Sequence, residues 1–461
     1  MMDLIGFVIA LGVLVTVHEW GHYRVAVACG VRVLRFSIGF GRPLFQWVRR
    51  QPGIGTEIEF AIGVIPLGGY VKLLDTREGE VARVDLKHAF DHQTLAKRTA
   101  VVIAGPLANF VLAVVLYAAT FAMGSWQMLP SLSVPPAGSA AERAGVRGGE
   151  VVQAIGTTAS SMSEIASLEE LRSWWMLQSD ADTLHVRLRD AAGHVSRDLT
   201  LEWKAFGKGE ASDANDLLPP ATNWGLIAPQ SPAVLRDLLQ DGAAQRSGLQ
   251  RGDKVLSIDG HTVVDAAQLK RMVRAAGASG DGLVQSWEIE RAGERVWLDV
   301  TLDVVNEGEQ KIGRIGALLG EVPQKIWVEY DILDACVKAL ETTWDMAVLT
   351  VVTLGKMLGG MASWQNLGGP VAIAEMAGQS LQLGLHAFVV YLALLSVSLG
   401  VFNLLPVPAL DGGHLLYYLY EFLVGRPPAQ RWLTVFQQVG FGVLLVLMAV
   451  ALFNDLQRLS G

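Results

Sequence analysis

The stretch Val17-His18-Glu19-Trp20-Gly21-His22-Tyr23 lies inside an otherwise apolar run covering residues 4–29. A run of that length crosses a bilayer as a helix, which takes about 20 apolar residues. An ionisable side chain at that depth costs roughly 2.5–3.5 kcal/mol on insertion scales, so three close together need a shared purpose. Their spacing supplies one. His18 and His22 are four positions apart and share a helix face, where two imidazoles can hold a single ion. Glu19 stands beside them, placed to take a proton from a water that the ion acidifies rather than to bind the ion. Neutral imidazoles suit zinc. A chance His-Glu-x-x-His is common on solvated helices, but a bilayer removes unpaired charges that a wet helix face tolerates.

Composition agrees with a membrane protein. The 461 residues are 51% hydrophobic with mean hydropathy +0.34, too apolar for an ordinary soluble chain and long enough for several domains. A formal charge of −8 argues against nucleic acid as a partner. Cys29 and Cys336 make no disulfide framework. Met1-Met2-Asp3 lacks the positive flank of a cleavable leader, so the first apolar run reads as a retained span, residues 1–29. Residues 29–98 hold eleven Lys and Arg, among them Arg32, Arg35, Arg42, Lys97 and Arg98. That excess places the loop in the cytoplasm and the N-terminus outside.

Within 30–98, Glu57-Ile58-Glu59-Phe60-Ala61-Ile62 alternates like a half-buried strand, and Ile65 through Gly68-Gly69-Tyr70 to Leu73 turns and runs on. Residues 36–44 are similarly extended and glycine-punctuated. Two readings stand: a small β-module without chemistry, or a sheet edge beside the metal that pairs with an extended substrate. In the second, Ile58, Gly68, Gly69 and Tyr70 lie on the receiving strand. Residues 99–123 form the second span. Gly105-Pro106 should kink it or form its entrance. Asn109 is polar at membrane depth, its partner either a neighbouring helix or a substrate backbone.

Residues 124 to about 325 are charged and repetitive. Ala140-Ala141-Glu142-Arg143-Ala144-Gly145 returns as Ala243-Ala244-Gln245-Arg246-Ser247-Gly248, and Gly149, Val152 and Ile155 return as Gly252, Val255 and Ile258. Two tandem domains are expected, 124–230 and 231–321. The pattern is clearest in 248–260 and resembles a PDZ domain, a module that binds peptide by strand addition. The first copy departs from it, with Gly149-Glu150 for Gly252-Asp253 and a Gly/Ser/Asp-rich insert at 207–215. Either copy binds peptide termini or serves as a steric plug.

Residues 322–384 suit an amphipathic helical segment on the outer surface, with Trp344 and Trp364 interfacial. The third span, 385–410, carries Asn403 and delivers Asp411 to the inner half of the membrane, at the depth of His18 and His22. Asp411 is the best available third zinc ligand, leaving a fourth position open. His414 is the rival. A cytoplasmic loop, 411–430, leads to a last span at 431–454. The architecture expected is a polytopic α-helical membrane protein with four transmembrane helices, a membrane-associated β-hairpin or sheet region and two tandem PDZ-like α/β domains.

His18-Glu19-Trp20-Gly21-His22, Gly105-Pro106-Leu107-Ala108-Asn109 and the run from Asn403 to Asp411-Gly412 together resemble the site-2 proteases. That resemblance extends over nearly the whole chain. It implies one zinc held by His18, His22 and Asp411, with Glu19 as general base, in a bacterial inner-membrane enzyme whose PDZ-like domains are periplasmic. It also implies a single-span membrane substrate, typically an anti-sigma factor already trimmed outside, whose cleavage activates an envelope-stress response. Signal-peptide remnants are a second substrate class. On that reading Asn109 and Asn403 hold free backbone groups of the unwound substrate. A metal transporter should show repeated halves among its spans, and the repeat here is extramembrane. An inactive peptide-binding scaffold need not keep Glu19.

Overall fold

The computed structural model describes residues 2–77, 79–177, 182–190, 195–202, 224–277, 284–307, 310–359, 369–408, 410–427 and 429–460. The chain divides into two compact units, Met1–Ser125 with Glu329–Gly461, and Trp126–Val328. Three helices among the described residues are long and apolar enough to cross a membrane: Met2–Ala28, Leu95–Met123 and Leu385–Leu404.

α1 (Met2–Ala28) buries Gly6, Ala10, Leu14, His18 and Gly21. These recur every three or four residues, so they form one narrow stripe of mostly small side chains. His18 is the polar residue on that stripe. β1 (Val33–Arg50) and β2 (Glu57–Leu73) follow, and they pair more than once. Residues 35–38 are flanked by 59–62 on one side and 69–72 on the other, while 43–50 fold back on 57–63. Ile58 is fully buried against Ala26, Val31, Val33 and Val101, which fixes this sheet to the end of α1. The buried Gln51 amide donates to Val31 O at 2.6 Å and accepts from Val33 N at 2.9 Å, tying the far end of β1 to its beginning. Leu44, Phe45, Trp47 and Val48 are all exposed, so this part of the hairpin shows apolar side chains on both faces. α2 (Leu95–Met123) runs through Pro106 as one helix.

β3 (Ser125–Met128) leads into the second unit. The first repeat then supplies α3 (Ala140–Ala144), β4 (Val151–Thr158), β5 (Ser161–Glu164), α4 (Leu168–Leu177), β6 (Thr183–Arg189) and β7 (Ser196–Glu202). The second supplies β8 (Leu235–Leu238), α5 (Ala243–Arg246), β9 (Lys254–Ile258), β10 (His261–Thr262), α6 (Ala266–Ala276), β11 (Val284–Arg291) and β12 (Glu294–Thr301). β13 (Asp303–Glu307), β14 (Gln310–Arg314), β15 (Ala317–Leu319) and β16 (Lys325–Val328) complete it. The two repeats form sheets of matching order, β5-β4-β6-β7 and β10-β9-β11-β12, each with its own core. Their carboxylates match too. Arg197 binds Glu150 and the Gly145 carbonyl, and Arg291 binds Asp253 and the Gly248 carbonyl. Glu150 thus binds in the first copy what Asp253 binds in the second. The insert at 207–215 lies outside the described residues, as does Trp364.

The chain then returns to the first unit. α7 (Ile332–Leu358) covers the segment expected as an amphipathic helix. Its Ala339, Met346 and Ala347 pack with Ala113 and Tyr117 of α2. α8 (Pro370–Leu383), α9 (Leu385–Leu404), α10 (Asp411–Val424) and α11 (Gln430–Ser460) follow, with α11 covering the expected last span. Asp455 of α11 is buried and accepts from the amides of Gly369, Val371 and Ala372 at 3.1, 2.9 and 3.3 Å. It therefore caps the N-terminus of α8, satisfying donors that a helix start leaves orphaned.

Candidate metal centre

α1 and α2 meet through glycine. A Cβ on Gly21 would collide with the Ala104 carbonyl, and one on Gly105 would collide with His22 and lie 2.8 Å from His18 Cε1. Gly105, beside Pro106, clears room for both imidazoles. The third side chain arrives differently. α9 ends at Leu404, short of the expected 410, and a turn follows, with Val407 N on Leu405 O at 2.7 Å and Leu410 N on Val407 O at 3.1 Å. Gly412 and Gly440 admit the backbone of that turn, because a Cβ at either would strike Leu405 O or Pro408 O. Clamped in this way, the turn presents Asp411 as the first residue of α10.

The three donor atoms form a small triangle. His18 Nε2 lies 3.1 Å from His22 Nε2 and 3.2 Å from Asp411 Oδ2, and His22 Nε2 lies 3.5 Å from Asp411 Oδ2. A tetrahedral zinc with ligand bonds of 2.0–2.1 Å separates its ligand atoms by about 3.3 Å, so the set fits and leaves a fourth position. Asp411 Oδ2 is buried without a hydrogen-bond partner, as a carboxylate oxygen reserved for a cation would be. His18, His22 and Asp411 are the group among the described residues whose ligand atoms converge within metal-binding distance. His414 is outside it, exposed on α10 and packed edge-on to Tyr417.

The other ring nitrogens are held. His22 Nδ1 is 2.8 Å from Val101 O, so it carries the proton and Nε2 is left bare for a metal. His18 Nδ1 is 3.2 Å from the Asn109 amide nitrogen, and Asn109 Oδ1 is buried without a partner. Turning the Asn109 amide lets Nδ1–H donate to its oxygen, the arrangement that frees His18 Nε2. Asn109 itself is fully buried, and its backbone carbonyl accepts from Ser396 Oγ at 2.7 Å, so α9 steadies it. The Asn109 side chain thus meets a neighbouring helix, α1.

Glu19 faces the sheet. Its carboxylate is directed at the backbone amide of Val71, and a Cβ on Gly69 would be 3.2 Å from Glu19 Cγ and 3.1 Å from Val15. The segment 69–71 therefore runs along the face of α1 that carries Glu19. Gly68 has φ +110, and a Cβ there would press on the Phe40 ring at 2.5 Å. Phe40 in turn stacks on Tyr70 at 6.0 Å. Ile58 is not brought to this edge: its side chain is in the core beneath. Asn403 is half-buried near the end of α9. Farther along α10, Glu421 accepts from Arg98 of α2 at 2.6 Å, and Arg98 lies over the Tyr418 ring at 5.1 Å. This pair ties the helix that carries Asp411 to the helix that spaces the histidines.

Two histidines and an aspartate converging inside apolar helices, with a glutamate at their side, define a membrane-embedded metalloprotease. A family model described as Peptidase family M50 matches residues 6–447, and the chain belongs to that family, zinc metalloproteases of the site-2 type. It is 38% identical over 478 aligned positions to a relative from Ralstonia nicotianae that carries a zinc-metalloprotease name, with 100% of this chain and 99% of that one covered. It is 35% identical over 473 positions to the Regulator of sigma-E protease RseP of Escherichia coli, with 99% of each chain covered. The same identity relates it to the RseP of Salmonella typhimurium, again with 99% of each chain covered.

Proposed function

We propose that His18, His22 and Asp411 hold one zinc ion, and that Glu19 is the general base for cutting the membrane span of a single-span protein. The observation that carries this reading is the triangle of ligand atoms, 3.1–3.5 Å apart, beside a glutamate and a strand edge. When bound, the zinc supplies a Lewis acid that polarises the scissile carbonyl and acidifies water. Glu19 accepts the proton of the attacking water and returns it to the leaving amine. A helical substrate hides its amides in its own hydrogen bonds, so it unwinds before it is cut. The backbone of 68–71, lined by Gly68, Gly69 and Tyr70, receives the unwound stretch as an added strand. Asn403 binds a freed peptide group, and Asn109 holds His18 in the tautomer the metal needs.

The substrate we favour is a pre-trimmed anti-sigma factor in envelope-stress signalling, with signal-peptide remnants as a second class. The RseP names of the relatives support it. The loop cations support a cytoplasmic position for 30–98, hence four spans with α11 as the last. Both termini and the repeats are then periplasmic, and the site lies in the inner half of the bilayer. The repeats, read as PDZ-like domains, act as a size filter on the outer parts of substrates.

The test uses the full chain in liposomes with one single-span substrate carrying either a short tail or a folded outer domain. Wild type should cut the short form within its span, and Glu19→Gln should not. Removing residues 130–321 should release cutting of the bulky form. Equal cutting by Glu19→Gln and wild type would end the catalytic assignment, and equal slowing of both substrates after the deletion would favour recruitment over filtering.

A further inference from the structure

The two chain crossings between the units run side by side. β3 follows the end of α2, β16 precedes α7, and the two pair as a two-stranded ribbon. Leu129 N donates to Gln324 O at 2.8 Å and extends the pairing. A ribbon of two strands is marginal by itself in water and needs a surface against one face. Here that ribbon exposes large aromatic rings. Trp126 and Trp327 are 66% and 49% exposed, and their rings meet edge-to-face with centroids 5.6 Å apart.

We infer that Trp126 and Trp327 are seated in the lipid headgroup layer of the leaflet in which α2 ends, so that the ribbon is a lipid-anchored collar. Chain continuity sets the depth. The apolar part of α2, residues 100–123, is about 36 Å long at 1.5 Å per residue, against about 30 Å of hydrocarbon. α2 therefore ends at or just beyond the hydrocarbon edge, and Trp126 comes three residues later. The other crossing starts from the same level. Tyr330 N donates to Phe121 O at 3.2 Å, their rings lie 5.8 Å apart, and Trp327 precedes Tyr330 by three residues. Three extended residues reach about 10 Å, so both indoles fall in or beside a headgroup layer of about 5–8 Å. Indole suits that layer because it joins a broad apolar ring to an N–H donor. Two rings on neighbouring strands present a paired apolar face rather than a lone surface tryptophan.

Trp297 gives the internal comparison. It is 61% exposed on β12, in the sheet of the second repeat and far along the chain from either crossing. Spin labels placed one at a time by Trp126→Cys, Trp327→Cys and Trp297→Cys, in a Cys29→Ser/Cys336→Ser background, report their surroundings in phosphatidylcholine nanodiscs. Power saturation with oxygen and with a polar nickel chelate then compares them. The expected result is a several-fold higher ratio of oxygen to nickel accessibility at 126 and 327 than at 297. A label from Gln127→Cys leaves both tryptophans in place and should give a ratio above that at 297. Nickel access at 126 and 327 equal to that at 297 would overturn the inference in favour of an aqueous ribbon. Protection from both agents would overturn it in favour of a protein partner.

Discussion

Asp253 in the second repeat and Asp411 at the head of α10 are both carboxylates drawn out of water, and the chain surrounds them in opposite ways. Asp253 is 1% exposed and receives three donors, from Arg291 Nε and NH2 at 2.8 and 2.7 Å and from the Gln250 amide at 2.7 Å. Asp411 has Oδ2 facing two imidazole nitrogens, and no hydrogen bond reaches that oxygen. A buried charge satisfied by its own chain is structural; one left for an outside cation marks a site. The first repeat makes the same point, because Glu150 with Arg197 repeats the closed arrangement although the residue has changed.

The contrast can be broken most severely at Asp411. Asp411→Ala should lose both zinc, measured by mass spectrometry on purified protein, and all cleavage of a reconstituted substrate. Full zinc retention there would remove the distinction and return His414 to candidacy. Glu19→Gln comes next: cleavage should fall by about 10²–10⁴-fold with zinc content unchanged, since it removes the base and not a ligand. A smaller loss is expected from Gly105→Ala, where the added methyl meets His22 and His18. Zinc affinity should drop while detergent-solubilised protein keeps its helical circular dichroism; unchanged affinity would mean that α1 and α2 part easily. Asn109→Ala should weaken zinc binding by about 10–100-fold, the usual cost of removing a group that orients a metal-binding histidine, and Asn109→Asp should recover part of it. The least effect on function belongs to the closed carboxylate. Asp253→Ala should cost unit 2 about 2 kcal/mol in denaturant unfolding, a modest figure because Arg291 keeps some access to water. Zinc content should not move, and a parallel loss of zinc would show that the two carboxylates are coupled.

Some of this was legible along the chain. The cost of burying His18, Glu19 and His22 in an apolar run exposes them as a functional group, and matching depth nominates Asp411. The repeat of residues 140–145 at 243–248 foretells two sheets of one order, because each copy carries the same turn glycines and core positions. Other features were hidden. Gly105 reads as a helix breaker, and only the approach of α1 turns it into clearance for two rings. Ile58 alternates as a strand edge should, yet the folding of β1 and β2 over each other puts it in the core. Asp455 gives no signal of its partner along the chain, yet it caps α8, more than 80 positions earlier.

What the sequence by itself determined was therefore local or periodic: the apolar spans, the shared face of His18 and His22, the strand alternation and the tandem repeat. Each rests on neighbours within a few residues or on a costly burial that any fold would have to answer. Tertiary structure alone decided which further distant groups meet: His22 with Val101, His18 with Asn109, and Glu19 with the 69–71 edge. Those meetings depend on how closely three helices and a turn can approach, and the missing side chains of Gly21, Gly105 and Gly412 permit that approach only once their partners are in place.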